Sequence, residues 1–264
     1  MLTIQNVHKI FNAGSVNEKV ALNGVNINLQ SGDFVTVIGG NGAGKSTLLN
    51  AIAGGFMIDQ GSISIGEAKI SSQPEHKRAA CIGRVFQDPM LGTAASMTVE
   101  ENLAMAYRRG KSRGLKWGIT KGERALFKEQ LTQLDLGLEN RLKTKVGLLS
   151  GGQRQALTLL MATLIKPELL LLDEHTAALD PKTAQKVLNL TEKLIDKYKL
   201  TTIMITHNMK DALHYGNRMI MMHEGKIVLD LDEQTKKKMQ VEDLLKLFAS
   251  TSGNSLDNDR LLLA

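Results

Sequence analysis

The chain has 264 residues, with 33 Lys plus Arg against 27 Asp plus Glu and a formal net charge of +6. Its 42% hydrophobic and 23% charged content is that of a globular protein, which excludes wholesale disorder, and the length allows one large or two small lobes. Aromatic residues make up only 4%, too few for the stacking platforms of single-stranded nucleic-acid binders, so no nucleic-acid partner is expected.

The longest charge-free stretches, 20–32 and 46–58, hold 13 residues each, short of the about 20 that span a bilayer as a helix. Met1–Asn6 shows no basic region leading into an apolar run, so no signal peptide is expected. The single cysteine, Cys81, can make no internal disulfide and fits a reducing compartment. A cytoplasmic protein is the expectation, and its positive surplus suits solubility, an anionic membrane face or bound phosphates.

Residues 2–7 and 25–29 alternate apolar and polar, as half-buried strands do. Phe34–Ile38 is a nearly continuous apolar run, the pattern of a strand buried on both faces. A glycine-rich loop follows, then a helical pattern over 46–53. Between 96 and 165 the periodicity is helical, and a helical lobe at about 88–165 is expected to interrupt an α/β core. Two further buried strands are predicted, Leu169–Leu172 ending in Asp173 and Thr202–Thr206 ending in His207. Open α/β sheets bind ligands at the carboxyl ends of their strands, which makes both terminal residues candidates. The basic stretch 108–124 holds seven Lys or Arg and one Glu; it reads as a solvated face or as a contact with anionic lipid. Met219, Met221 and Met222 read as core. A single domain over 1–249 is expected, with the linker-like segment 250–264 as a flexible tail.

Gly39-Gly40-Asn41-Gly42-Ala43-Gly44-Lys45-Ser46 fits G-x-x-x-x-G-K-[ST], between a predicted buried strand and a helix that begins at Ser46-Thr47. Such a loop turns successive N–H groups toward phosphate oxygens, and the helix N-terminus adds about half a positive charge. Lys45 is expected to reach the β- and γ-phosphates, and the Ser46 hydroxyl to ligate Mg²⁺. Asp173 stands where a carboxylate serves that Mg²⁺. Glu174, projecting the other way along an extended chain, is placed to orient or deprotonate the attacking water.

Leu149-Ser150-Gly151-Gly152-Gln153 narrows the class. With it the chain resembles the ATP-binding cassette (ABC) ATPases, whose signature motif is LSGGQ and whose second acidic strand follows about 20–25 residues on; here Ser150 precedes Asp173 by 23. The resemblance runs from residue 2 to about 230. It implies a P-loop NTPase (RecA-like) α/β core with an antiparallel β subdomain and an inserted α-helical subdomain. It further implies that Ser150, Gly151, Gly152 and Gln153 clasp the γ-phosphate of ATP held by a second copy. Gln87 matches the glutamine that touches Mg²⁺ and the water, Asp180 within Ala178-Leu179-Asp180 the loop that crosses the dimer interface, and His207 the histidine that hydrogen-bonds the γ-phosphate. Phe11 matches the aromatic that stacks on adenine. Two positions depart from the family, His175 and Gly40, where proline is usual; both substitutions are expected to loosen their loops.

What the resemblance implies is an ATPase using ATP and Mg²⁺, attached to the cytoplasmic face of a bacterial membrane. It would power solute import through a separate permease served by a substrate-binding protein, in a branch where some members are associated with aromatic amino acids. A soluble ABC ATPase acting in assembly of a protein or cofactor complex is the alternative.

Overall fold

The computed structural model describes residues 1–111 and 118–251. The segment from 252 onward, most of the expected tail, and positions 112–117 of the basic stretch lie outside the described residues. Strands β1 (Leu2–Phe11) and β2 (Lys19–Leu29) lead into β3 (Phe34–Ile38), buried at every position. Helix α1 (Lys45–Ala53), strands β4 (Gln60–Ile65) and β5 (Ala68–Lys69) and the single turn α2 (Glu75–Arg78) follow. The middle of the chain holds β6 (Ile82–Val85), α3 (Val99–Tyr107), α4 (Lys121–Thr132), α5 (Gly151–Thr163), β7 (Leu169–Asp173) and α6 (Pro181–Tyr198). Then come β8 (Thr201–Ile205), α7 (Met209–His214), β9 (Arg218–His223), β10 (Lys226–Asp232), α8 (Glu233–Lys236) and α9 (Val241–Thr251). Helix α9 therefore carries regular structure past 250, the expected start of the tail.

The chain forms two compact units, one of Met1–Arg78 with the residues from Thr201 onward, the other of Ala79–Leu200. In the first, β2-β1-β4-β5 make an antiparallel sheet. Strand β1 runs to Phe11, beyond the alternation visible in sequence, because Asn6 adopts φ +47° and the pairing with β2 shifts register between Ile4 and Ile10. Such irregularities break the period of two on which the alternation depends. A second sheet places β3 parallel to both β8 and β9, with β10 antiparallel to β9. Thr36, a polar residue inside β3, is fully buried and donates its hydroxyl to the Ala212 carbonyl at 2.9 Å. Met219, Met221 and Met222 are core, as expected.

Arg78 is 1% exposed and holds the carboxyl end of α1. Its guanidinium donates to the carbonyls of Ala51 (2.7 Å), Ile52 (2.9 Å), Ser71 (2.9 Å) and Gln73 (2.8 Å). A cation at a helix C-terminus is favoured by the helix dipole, and here it also occupies carbonyls that have no intrahelical partner.

In the second unit β6 runs parallel to β7, with Arg84 opposite Leu171 and Val85 opposite Leu172. The helices share one apolar cluster, to which α3 gives Val99 and Leu103, α4 Phe127 and Leu131, and α5 Ala156 and Leu157. Each of these helices begins with a capping box: Thr98 with Glu101, Thr120 with Glu123, Ser150 with Gln153. Three cations of the basic stretch bond to groups of this unit, Arg108 and Arg109 half-buried and Arg124 exposed. Arg108 pairs with Glu123 at 2.9 Å, Arg124 with Glu100 at 2.8 Å, and Arg109 donates to the Ala162 and Ile165 carbonyls at 3.1 and 2.9 Å. Arg108 and Arg109 thus serve the fold, which the sequence-based choice between solvated face and lipid contact did not anticipate, whereas Arg124 stays on a solvated face.

Candidate nucleotide-binding site

Strand β3 delivers the chain into the glycine loop, and α1 starts at Lys45 after the left-handed N-cap Gly44, which has no side chain to cap the helix. Gly44 makes this junction possible, since its φ of +101° suits a residue without a β-carbon and such a carbon would lie 2.6 Å from the Ala21 carbonyl. Lys45 is 6% exposed, and its Nζ donates back into the loop, to the Gly39 carbonyl at 2.7 Å and the Gly40 carbonyl at 3.1 Å. The ammonium thus sits inside the curl of backbone that the sequence assigned to phosphate. Asn41, Gly42 and Ser46 are exposed around it.

His207 ends β8, where the Thr206 N–H still donates to the Val37 carbonyl at 3.2 Å. It lines a narrow crevice together with Gly39, Gly40 and Phe248 of α9. The structure therefore brings together the glycine loop and the histidine, which lie over 160 positions apart in the chain. Lys19 adds a cation that sequence reasoning missed, its Nζ 3.5 Å from where a side chain on Gly42 would begin. Phe11 is half-buried, meeting Phe56 edge to face at 5.2 Å, with Lys9 Nζ 5.5 Å from its ring centre.

In the second unit Asp173 closes β7, with Arg84 Nη2 3.6 Å from its carboxylate and the Arg84 guanidinium over the Phe86 ring at 4.4 Å. Gln87 is exposed just past β6. Glu174 adopts φ +47°, so it leaves the extended path assumed from the sequence. Ser150 is the exposed N-cap of α5. Its Oγ accepts from Gln153 N–H at 3.3 Å while Gln153 Oε1 accepts from Ser150 N–H at 3.2 Å. Gly152 is required by close packing, because a side chain there would run into the Thr183 methyl group, and a carbon on Gly151 would stand 3.3 Å from Leu179. Signature motif and the 178–180 loop are thus neighbours. Asp180 caps α6, accepting from Thr183 N–H at 3.1 Å, and the hydroxyl and N–H of Thr183 hold its carboxyl below the usual range. Gln155, 1% exposed, donates to the Phe86 carbonyl at 3.3 Å and ties α5 to the segment that carries Gln87.

Residues 22–177 match the ABC transporter family. The tyrosine transport ATP-binding protein of Clostridioides difficile (strain R20291) is 45% identical over 248 residues, which is 94% of this chain and 98% of that protein. The chain belongs to the ABC transporter ATPases. The methionine import ATP-binding protein MetN of Streptococcus pneumoniae is 33% identical over 79% of this chain and 58% of its own length. Among solved structures, the dimeric post-hydrolysis cassette MJ0796 bound to ADP and Pi aligns with TM-score 0.76 at 30% identity, covering 88% of this chain and 99% of that one. The ADP form of the cassette MJ1267 aligns at 0.77 and 28%, covering 94% and 98%.

As a member of this family the chain is an ATP-binding, ATP-hydrolysing subunit with the P-loop NTPase fold, of the kind that works with membrane permeases. Among the described residues no helix is long and apolar enough to cross a membrane. The looser turn expected from losing proline at 175 is not what the structure has: His175 is buried and hydrogen-bonded to Thr191 at 3.0 Å.

Proposed function

We propose that this chain is the motor of an amino-acid importer. It acts as an ATP-sandwich dimer on the cytoplasmic face of the membrane, driving a separate permease that is served by a substrate-binding protein. The observation that supports the cargo class is the match with the tyrosine transport protein, which extends over 98% of that relative at 45% identity. The methionine import relative is of the same broad class, and the MJ0796 cassette was captured as a dimer with its products.

In this reading Lys45 exchanges the Gly39 and Gly40 carbonyls for β- and γ-phosphate oxygens, and the N–H groups from Gly39 to Thr47 cradle the rest. Phe11 stacks on adenine. Ser46 is exposed at the start of α1, and Ser46, Asp173 and Gln87 each carry a hard oxygen donor of the kind Mg²⁺ takes. These three would hold the ion, which when bound neutralises charge on the phosphates. Glu174 accepts the proton of the attacking water at its carboxylate, and His207 steadies the γ-phosphate. Ser150, Gly151, Gly152 and Gln153 serve the ATP of the second copy, with Asp180 at the interface.

Reconstitution in liposomes with the permease that co-purifies, supplied with its substrate-binding protein, tests the reading. ATP inside the vesicle side bearing this subunit should drive uptake of tyrosine in preference to methionine or sulfate. Uptake of no amino acid, with ATPase activity intact, overturns the cargo assignment.

A further inference from the structure

Glu174 carries one of the few left-handed backbones outside glycine, φ +47°. Such a conformation costs on the order of 1–3 kcal/mol and persists where its surroundings impose it. On one side β7 is held against β6 up to Leu172, opposite Val85, and Asp173 is its last residue. On the other, the Glu174 carbonyl accepts from Ala177 N–H at 3.0 Å and the Thr176 carbonyl from Leu179 N–H at 3.1 Å. These bonds are internal to the turn and travel with it.

The His175–Thr191 bond is of another kind, because it spans 16 residues and fastens the turn to the middle of α6. His175 is 2% exposed. Thr191 spends its only hydroxyl proton on the Val187 carbonyl at 2.8 Å, so toward the ring it can only accept. Nε2 of His175 therefore carries the proton, and the tautomer is fixed. A neutral ring is what an apolar enclosure tolerates.

We propose that His175 is a positioning residue for ATP cleavage: anchored to Thr191, it imposes the left-handed backbone at Glu174 and so aims the carboxylate that works on the water. This rests on reading Glu174 as the general base. A proline here would stiffen the turn through its fixed φ; this chain does so with a buried hydrogen bond.

The test is single-turnover ATP cleavage beside Mg-ATP affinity in the full chain, for His175→Ala, His175→Gln and Thr191→Val, with thermal melts on each and Glu174→Gln as reference. His175→Ala and Thr191→Val should each slow cleavage by about 10- to 100-fold, with affinity within about three-fold of wild type. His175→Gln, whose amide N–H reaches toward the Nε2 position, should recover most of the rate. Thr191→Val is nearly isosteric and decides the matter should His175→Ala fail to fold. Wild-type cleavage in both, equal losses of rate and affinity, or no recovery in His175→Gln overturns the proposal. Normal cleavage by Glu174→Gln alone would instead refute the assignment of the base, a separate outcome.

Discussion

Asp173 ends β7 with Arg84 3.6 Å from its carboxylate, whereas Glu174 turns away through φ +47°. Two adjacent acids in such different settings should fail differently. Glu174→Gln keeps the shape and removes the basic oxygen, so single-turnover cleavage should fall at least the roughly 10²-fold typical of losing a general base, with Mg-ATP binding nearly intact and the closed dimer accumulating. Asp173→Asn should weaken nucleotide binding as well as turnover. Normal cleavage by the Glu174 variant would move the base elsewhere, with His207 the next candidate. Both acids are legible in the sequence because they end an unbroken leucine run. Their supports are not. Arg84 reaches Asp173 through the β6–β7 register, and His175 reaches Thr191 through the packing of α6; neither pairing leaves a local pattern to read.

At the scale of the element, α1 depends on both its ends. Its N-terminus begins at the left-handed N-cap Gly44, which offers no side-chain cap. Its C-terminus is held by Arg78 through the Ala51 and Ile52 carbonyls. Arg78→Met keeps the apolar stem and abandons buried carbonyls, so it should destabilise the protein by on the order of 3 kcal/mol. Arg78→Lys should recover only part of this, since a point charge cannot match a planar fork that meets four carbonyls. Urea midpoints at constant slope measure both, and an unchanged midpoint for Arg78→Met would sink the argument. The start of α1 is legible from the glycine motif, as are the starts of α3, α4 and α5 from Thr or Ser followed three residues on by Glu or Gln. The anchor at the far end of α1 is not, because it lies 26 and 27 residues from the carbonyls it serves.

At the scale of the whole molecule, the proposed sandwich assigns the signature motif to the ATP of a second copy. Ser150 is exposed and its hydroxyl caps α5; the five residues are legible in the sequence, the partner they address is not. If Ser150 and Gly152 act on the ATP of a second copy, two dead variants should complement each other. Lys45→Ala should lose ATP binding in its own P-loop, and Ser150→Arg should block the facing site while costing about 1 kcal/mol for the lost cap, which a thermal melt reads separately. In a mixed dimer one site then pairs the intact P-loop of the Ser150→Arg chain with the intact signature of the Lys45→Ala chain, and the other site is broken twice. ATPase activity should therefore appear on mixing two inactive proteins and peak near equal proportions. If the motif acted within its own chain, every chain in the mixture would still be defective. Activity absent at all mixing ratios, with both variants folded and able to dimerise, would refute the trans assignment.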